Sequence, residues 1–489
     1  MQAPREEVRE TQVLVVGAGP AGLTAAIALA RAGVRVLLVE RREELSNLPR
    51  ATGVSIRSME IFRGWDLEER IRRSAPLVEW QGWSARTLAE AEDGESWPTG
   101  IPTLEQAAVI SPTIPVCMAQ DELEPILLDH LRSHPSAALR LGAEVFDLRT
   151  SESGVRARVR LAGGAVTEVR ASYLVAADGA NGPIRRMLGI RASVGTAEHA
   201  RTALFRAPLW DVVGEIRHGI YSVTHPSPAT ILPAGGDRWL FGTFLDRPAQ
   251  PADLDPERML SEIRAGAGVP DLDARILRTG SFTFTGGMAE RFRRGNAFLA
   301  GDAAHRVTPR GGTGMNMAIH SGFDLGWKLA WVLRGWADPA LLDTYERERI
   351  PAVRHNVERS LDPEGSTRTT DSEVHVDLGG RIPHVWAADG AGETVSTLDL
   401  LGDGMTLFTG PDGRWADLPA RPGAPPLAVR RLDEIAARGL GLQLGAGMLV
   451  RPDGRQTGSF APPELSASAA QPGDRRGAKV SGPEQALVA

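Results

Sequence analysis

The spacing of apolar residues changes character twice within the first forty positions. Val13–Val16 is a short apolar, mostly β-branched run, which predicts a buried parallel strand. Ala21 to Arg31 is rich in strong helix formers and predicts a helix, with Gly33 placed to end it. Val34–Val39 predicts a second buried strand, and Glu40 sits at its end. Gly17, Gly19 and Gly22 fill the first strand-to-helix turn, spaced as G-x-G-x-x-G. Each glycine has a physical task in dinucleotide binding. Gly17 allows the tight turn, Gly19 lets backbone approach a pyrophosphate, and Gly22 lets helix and strand pack closely. The free N–H groups at the helix start favour phosphate. Glu40 can accept bonds from ribose hydroxyls. The motif by itself does not separate FAD from NAD(P).

Two later apolar runs end in a similar way. Leu174 to Ala177 leads into Asp178-Gly179, followed by Arg185. Ala297 to Ala300 leads into Gly301-Asp302, then a glycine-rich turn, then a helix-like pattern over Met317–Leu333. Between these runs, Ser193–Thr279 alternates apolar and polar positions, as in Trp239-Leu240-Phe241-Gly242-Thr243-Phe244. That period predicts an antiparallel sheet with one face toward a ligand. Trp80, Trp83 and Trp97 are expected to extend the sheet or to pack in its core. Ser, Ala, Pro and Gly dominate from Pro462 onward, so residues 462–489 are expected to be disordered.

Composition narrows the function classes. The chain has 489 residues, which at about 150 per domain suggests about three domains. Its net charge of −6 argues against nucleic acid as a partner. No apolar stretch is long enough to span a bilayer, and the charged N-terminus is not a signal peptide, so no membrane partner and a cytoplasmic location are expected. Cys117 is the single cysteine and is read as a small core residue. No metal site is expected: His130 and His134 share a helix-like stretch, but Leu131 stands where a zincin needs Glu. There is no G-x-S-x-G elbow, and neither Lys328 nor Lys479 follows a glycine as a Walker loop requires. Gly439-Leu440-Gly441 has the wrong spacing and reads as a loop, leaving one dinucleotide site.

The three motifs, in this order, resemble the class A FAD-dependent aromatic hydroxylases of the p-hydroxybenzoate hydroxylase type, from Val13 to Pro351 and more loosely beyond. Leu48–Glu60 and Ile382–Leu401 look like the aromatic polyketide hydroxylase branch. The resemblance implies an α/β chain: a Rossmann-like FAD-binding domain, a β-sheet substrate domain and a thioredoxin-like C-terminal domain. The FAD-binding parts would be 11–75, 116–185 and 281–370. The substrate parts would be 76–115 and 186–280, and the C-terminal domain 371–461.

The resemblance also implies residue roles. The turn Gly17, Ala18, Gly19, Pro20, Ala21 and Gly22, with Glu40 and Arg41, would hold the ADP half of FAD. Arg50 would approach the flavin and its pyrophosphate, and Gln120 the ribityl chain. Asp178 matches the family aspartate linked to FAD and NAD(P)H. Gly301 and Asp302 would meet the ribityl hydroxyls. Gly312, Gly314, Met315 and Asn316 would set backbone N–H groups against the pyrimidine edge, where a helix starting near Gly314 favours the charge of reduced flavin. Pro309 matches the loop proline whose carbonyl faces the reaction centre and is the single catalytic candidate. Some positions depart from the family: Gly182 replaces a usual serine, Thr308 a usual proline, and His320 and Asp324 lie where relatives show Gln-Asp-Ala-x-Asn.

The activity implied is NAD(P)H- and O₂-dependent hydroxylation of a phenolic or quinoid aromatic small molecule through a flavin hydroperoxide. Baeyer–Villiger oxygenation of a polyketide and a flavin-binding accessory role stay open. A flavin halogenase is disfavoured by the lack of a W-x-W-x-I-P motif. Oligomeric state is left open, a homodimer included.

Overall fold

The computed structural model describes residues 8–388, 392–411, 423–443 and 445–460. The tail expected to be disordered, 462–489, lies outside the described residues. The chain divides into two compact units. One takes the described residues up to 108, then 113–326 and 345–379; the other takes 109–112, 327–344 and the described residues from 380.

The first unit is built on an eight-stranded sheet. Val8–Val16 lies at its centre, flanked in parallel by Val36–Glu40 and Val166–Ala176. Ala137–Leu141 and Ala297–Leu299 add parallel strands on the outer sides. Within them Val13–Val16, Val36–Val39, Leu174–Ala176 and Ala297–Leu299 are continuous buried apolar runs, as expected where a parallel sheet is covered on both faces. Among its helices are α1 (Pro20–Arg31), α2 (Ile56–Arg63), α3 (Gln120–Arg132), α4 (Gly314–Leu333), α5 (Asp343–Leu361) and α6 (Thr370–Leu378). Helix α1 is buried from Pro20 to Ala30, as expected of a helix that is apolar all round. Gly322 and Gly326 of α4 lie against it. A Cβ at Gly322 would come 2.3 Å from the Ala21 carbonyl oxygen, and one at Gly326 2.7 Å from Ala28 Cβ. This glycine-to-alanine contact packs α1 closely against the middle of α4.

The same unit carries a seven-stranded sheet in the order Arg275–Thr285, Ala197–Arg206, Arg238–Leu245, Ala229–Pro233, Tyr221–Val223, Gly82–Ala85, Glu95–Trp97. Trp83 and Trp97 lie on its last two strands. Trp80 lies just outside, buried against Gly53 and Gly219, with its indole N–H on the Pro115 carbonyl at 3.2 Å. One face packs Phe205, Trp239, Phe241 and Ile231 into a core with Met259 and Ile263.

The second unit holds a four-stranded sheet, ordered Leu427–Arg431, Met405–Thr409, Gly447–Val450, Gln456–Phe460. The first pair is parallel and the other two are antiparallel. The final strand pairs with Gly447–Val450 with a register shift beside Val450. Among the described residues, no helix is long and apolar enough to cross a membrane.

Candidate functional site: a flavin crevice

The phosphate turn separates its three glycines by what they face. Gly17 has φ +107°, and a Cβ there would lie 2.2 Å from the Ala177 carbonyl oxygen. A Cβ at Gly22 would lie 1.9 Å from the Gly17 oxygen. Gly19 has ordinary φ and ψ, and a Cβ there would meet nothing within 4 Å. Two glycines therefore serve protein packing, and the middle one faces open space. Gly19 also precedes α1 without any side-chain cap, which leaves the first-turn N–H groups available. The Glu40 carboxylate accepts from Ala18 N at 2.9 Å and from Arg42 N at 3.0 Å. It thus braces the turn as well as presenting acceptors, a role its place at a strand end did not reveal.

Two other turns meet this one. Gly301, at φ +58°, would put a Cβ 2.9 Å from Ala21 Cβ of α1 and 3.5 Å from Ala318 Cβ of α4. Asp302 therefore stands where the starts of α1 and α4 converge. Its side chain is exposed to the crevice, yet the surrounding protein raises its carboxyl, with Arg50 and then Arg306 opposing the rise. Arg50 and Gln120 are brought together by short pairing of Gly53–Val54 with Val116–Cys117 and by the Gln120 N–H on the Ala51 carbonyl at 2.8 Å. Gln120 Nε2 donates to Glu124 at 2.6 Å. Burial pushes Glu124 up to about 7, against that hydrogen bond and Arg50.

Asp178 accepts from Ile184 N at 3.0 Å through Oδ2, while its buried Oδ1 has no hydrogen-bond partner among the described residues. Burial raises this carboxyl, against the Ile184 bond and, more weakly, Arg41. Arg41 itself is exposed. A Cβ at Gly182 would lie 2.0 Å from Asp178 Oδ2, so the usual serine does not fit this conformation.

The Thr308–Asn316 turn, expected at the flavin ring and called the ring turn below, is held mainly by side chains from distant parts of the chain. Thr308 donates to the Ser360 carbonyl at 2.6 Å. The exposed Pro309 carbonyl accepts from Gly312 N at 3.1 Å, so part of its acceptor capacity closes the turn itself. Arg310 pairs with Glu198 and lies 5.3 Å over the Phe244 ring. Gly311, at φ +78°, passes over the buried Arg359 guanidinium, where a Cβ would come 2.7 Å from Nε. Gly312, at φ +63°, faces open space. Helix α4 begins at Gly314, Met315 is buried, and Asn316 locks the first turn. Asn316 Oδ1 accepts from Ser55 N at 2.9 Å and Ser58 Oγ at 2.8 Å, and Nδ2 donates to the Gly53 carbonyl at 3.0 Å. Nothing in the local sequence announces Ser58.

This turn and the Gly53–Ser55 segment border a cleft. His320 and Asp377 line it too, as do Arg349 and Arg359. His305, by contrast, is buried on Ser321 at 3.2 Å; burial and then Arg349 push it down to about 3, so it stays neutral. Cys117 is buried and pushed up to about 12 by burial, an inert core thiol.

The second face of the seven-stranded sheet is half-open. Register puts Thr202 between Gly242 and Gly280, with Phe244 and Phe282 flanking Ala200 and Leu240 opposite Leu204. Its edges reach two loops of the crevice: Glu198 pairs with Arg310, and Arg278 donates to Asn47 at 3.3 Å.

These features fit FAD: an uncapped helix start, an open glycine beside it, an unpartnered buried Asp178 oxygen and an acid at a shared crevice. Residues 10–360 match the family described as FAD binding domain, and the chain belongs to that family. Its fold is that of the class A FAD-dependent monooxygenases. It is 36% identical to tetracenomycin A2 monooxygenase-dioxygenase of Streptomyces glaucescens, over 91% of this chain and 92% of that protein. It is 35% identical to aklavinone 12-hydroxylase RdmE of Streptomyces purpurascens, over 91% and 94%. The crystal structure of a ternary complex of aklavinone-11 hydroxylase with FAD and aklavinone superposes with a TM-score of 0.80 at 30% identity, covering 92% of this chain and 95% of that one.

Proposed function

We propose that this protein is an NAD(P)H- and O₂-dependent FAD monooxygenase that hydroxylates a phenolic or quinoid polycyclic aromatic of polyketide type. The observation that carries the reading is the meeting of the Gly17–Gly22 turn, the Gly301-Asp302 turn and the start of α4 at one crevice, through the contacts of Gly301 with Ala21 and Ala318. The relatives named for aklavinone and tetracenomycin substrates support the substrate class.

In this reading the α1 N-terminus and Gly19 receive the pyrophosphate, with Glu40 and Arg41 along the adenosine and Arg50 over the phosphates. Gln120 and Asp302 bond the ribityl chain, and Asp178 adds its unpartnered oxygen. Gly312, Gly314 and the N–H groups of Met315 and Asn316 meet the ring. When bound, FAD supplies hydride acceptance from NAD(P)H and activation of O₂. The rest falls to the chain. In this reading a flat ring system lies on the half-open sheet face, floored by Gly242, Thr202 and Gly280 with no side chain lifting it, and its hydroxylated end enters the cleft beside Gly311 and Gly312. Phe244 and Phe282 beside that strip exclude water, and Pro309 borders the reacting position.

The test is to measure bound flavin in the purified protein, then NADPH and NADH oxidation with and without hydroxylated anthraquinones and naphthacenes. Accelerated oxidation with a product carrying one added oxygen atom is expected. Retained FAD with no ligand-stimulated oxidation would instead indicate an accessory flavoprotein.

A further inference from the structure

The cleft beside the ring turn holds an acid–imidazole pair that the preceding account does not use. Asp377 of α6 accepts from Arg57 N at 3.2 Å and from the Ser55 hydroxyl, and its side chain is 23% exposed. Its Oδ1 lies 3.9 Å from His320 Nε2. Hydrogen-bond logic fixes the imidazole. Ser58 Oγ gives its proton to Asn316 Oδ1, which can only accept, so Ser58 must accept from His320 Nε2 at 3.1 Å. His320 therefore carries its proton on Nε2, directed at Ser58 with Asp377 close by. Burial, then Arg349 and Arg57, hold the imidazole well below its usual range, so it stays neutral.

We propose that Asp377, positioned beside His320, is the group that accepts the phenolic proton of the substrate in this cleft. The inference rests on the aromatic hydroxylase reading. The substrate O–H bond breaks, its proton passes to a carboxylate oxygen of Asp377, and the bonding pair stays on the phenolate oxygen. No electrons are transferred in the step.

Three observations favour Asp377 over the other carboxylate of the cleft. Glu373 is held by Arg359 at 2.9 Å and His355 at 2.8 Å. Asp377 is bound instead by a main-chain N–H and a serine, which leave acceptor capacity for a phenol. Burial also pushes Asp377 up to about 6, which makes it a stronger base than an ordinary carboxylate. Arg57 and Glu60 on α2 and Arg359 on α5 act on it, and Arg349 on α5 and Glu373 on α6 line the same cleft. The arginines lower the cost of a phenolate in the cleft.

Binding to the FAD-loaded protein of 2-hydroxyanthracene and of 2-methoxyanthracene, read by their fluorescence from about pH 5 to about pH 8, isolates this role from turnover. Ionised Asp377 accepts a charge-assisted bond from the hydroxyl, so affinity for 2-hydroxyanthracene should rise through about pH 6. The methoxy compound should show no such rise. Asp377→Asn, which keeps an oxygen for Arg57 N, should flatten the rise and lower affinity about tenfold above it. Asp377→Glu should keep a pH-dependent rise with a shifted midpoint, and it serves should the Asn variant fail to hold FAD. Hydroxyl binding without pH dependence, or the same dependence in Asp377→Asn, would overturn this role and leave the hydroxylase reading standing. Failure of both compounds to bind at any pH would overturn both.

Discussion

The phosphate turn and the ring turn, proposed to hold opposite ends of one cofactor, are built differently. In the phosphate turn the tightest constraints are backbone against backbone: Gly17 against Ala177, and Gly22 against Gly17. In the ring turn the constraints are side chains from remote segments: Ser58 on Asn316, Thr308 on Ser360, Glu198 on Arg310. Local backbone constraints leave a fixed spacing in the sequence. Long-range side-chain constraints leave almost none.

The comparison is broken most severely at Gly22. Gly22→Ala puts a methyl 1.9 Å from the Gly17 oxygen and 3.0 Å from the Gly17 carbonyl carbon, backbone atoms with no flexible side chain to yield. The expected loss is about 3 kcal/mol or more, at the upper end of overpacking effects, seen as a collapse of soluble yield and melting temperature even without flavin. An unchanged melt would show that the turn relaxes freely.

The ring turn should fail more gently. Asn316→Leu removes the acceptor of Ser55 N and Ser58 Oγ and the donor to Gly53. Leaving such groups unpaired costs about 1–3 kcal/mol each where they stay buried, so a folded but less stable protein is expected, with FAD affinity weakened about tenfold or more. Equal FAD affinity in Asn316→Leu and wild type would mean the network does not shape the ring turn.

A smaller effect should appear with pH. His305 is held neutral down to about 3, whereas an unfolded histidine titrates near 6.5. Between those values the unfolded chain binds the extra proton, so stability falls as pH drops through the window. The slope from this one group is about 1.4 kcal/mol per pH unit at most. His305→Gln should make the acid side of the stability profile less steep by up to that amount, measured by denaturant unfolding. An identical slope would place His305 outside the acid response.

Legibility in the sequence follows the same division. The strand–turn–helix of Gly17–Gly22, the apolar runs ending at Asp178 and Asp302, and the helix start at Gly314 could all be read because each is a local pattern. The alternation of Trp239 to Phe244 predicted a two-faced sheet, and register shows why: Trp239 and Phe241 enter the core while Leu240, Gly242 and Phe244 face the other way. The bracing of the Gly17–Gly22 turn by Glu40 and the contacts of Ser58 with Asn316 and His320 could not be read. Their partners are 22, 258 and 262 residues apart, and spacing carries no trace of that. Gly182 is a middle case: the departure from serine was visible, but its reason, the closeness of Asp178 Oδ2, needed coordinates.

Gly19 gives the most direct test of the crevice as a flavin site, because a Cβ there meets no protein atom within 4 Å and its backbone angles suit any residue. The measurement is the flavin-to-protein ratio of purified Gly19→Val beside wild type, with the melting temperature of each after flavin is stripped. A colourless variant whose flavin-free melt matches wild type is the predicted result. A variant that keeps a full complement of FAD would contradict the placement of the pyrophosphate at this turn.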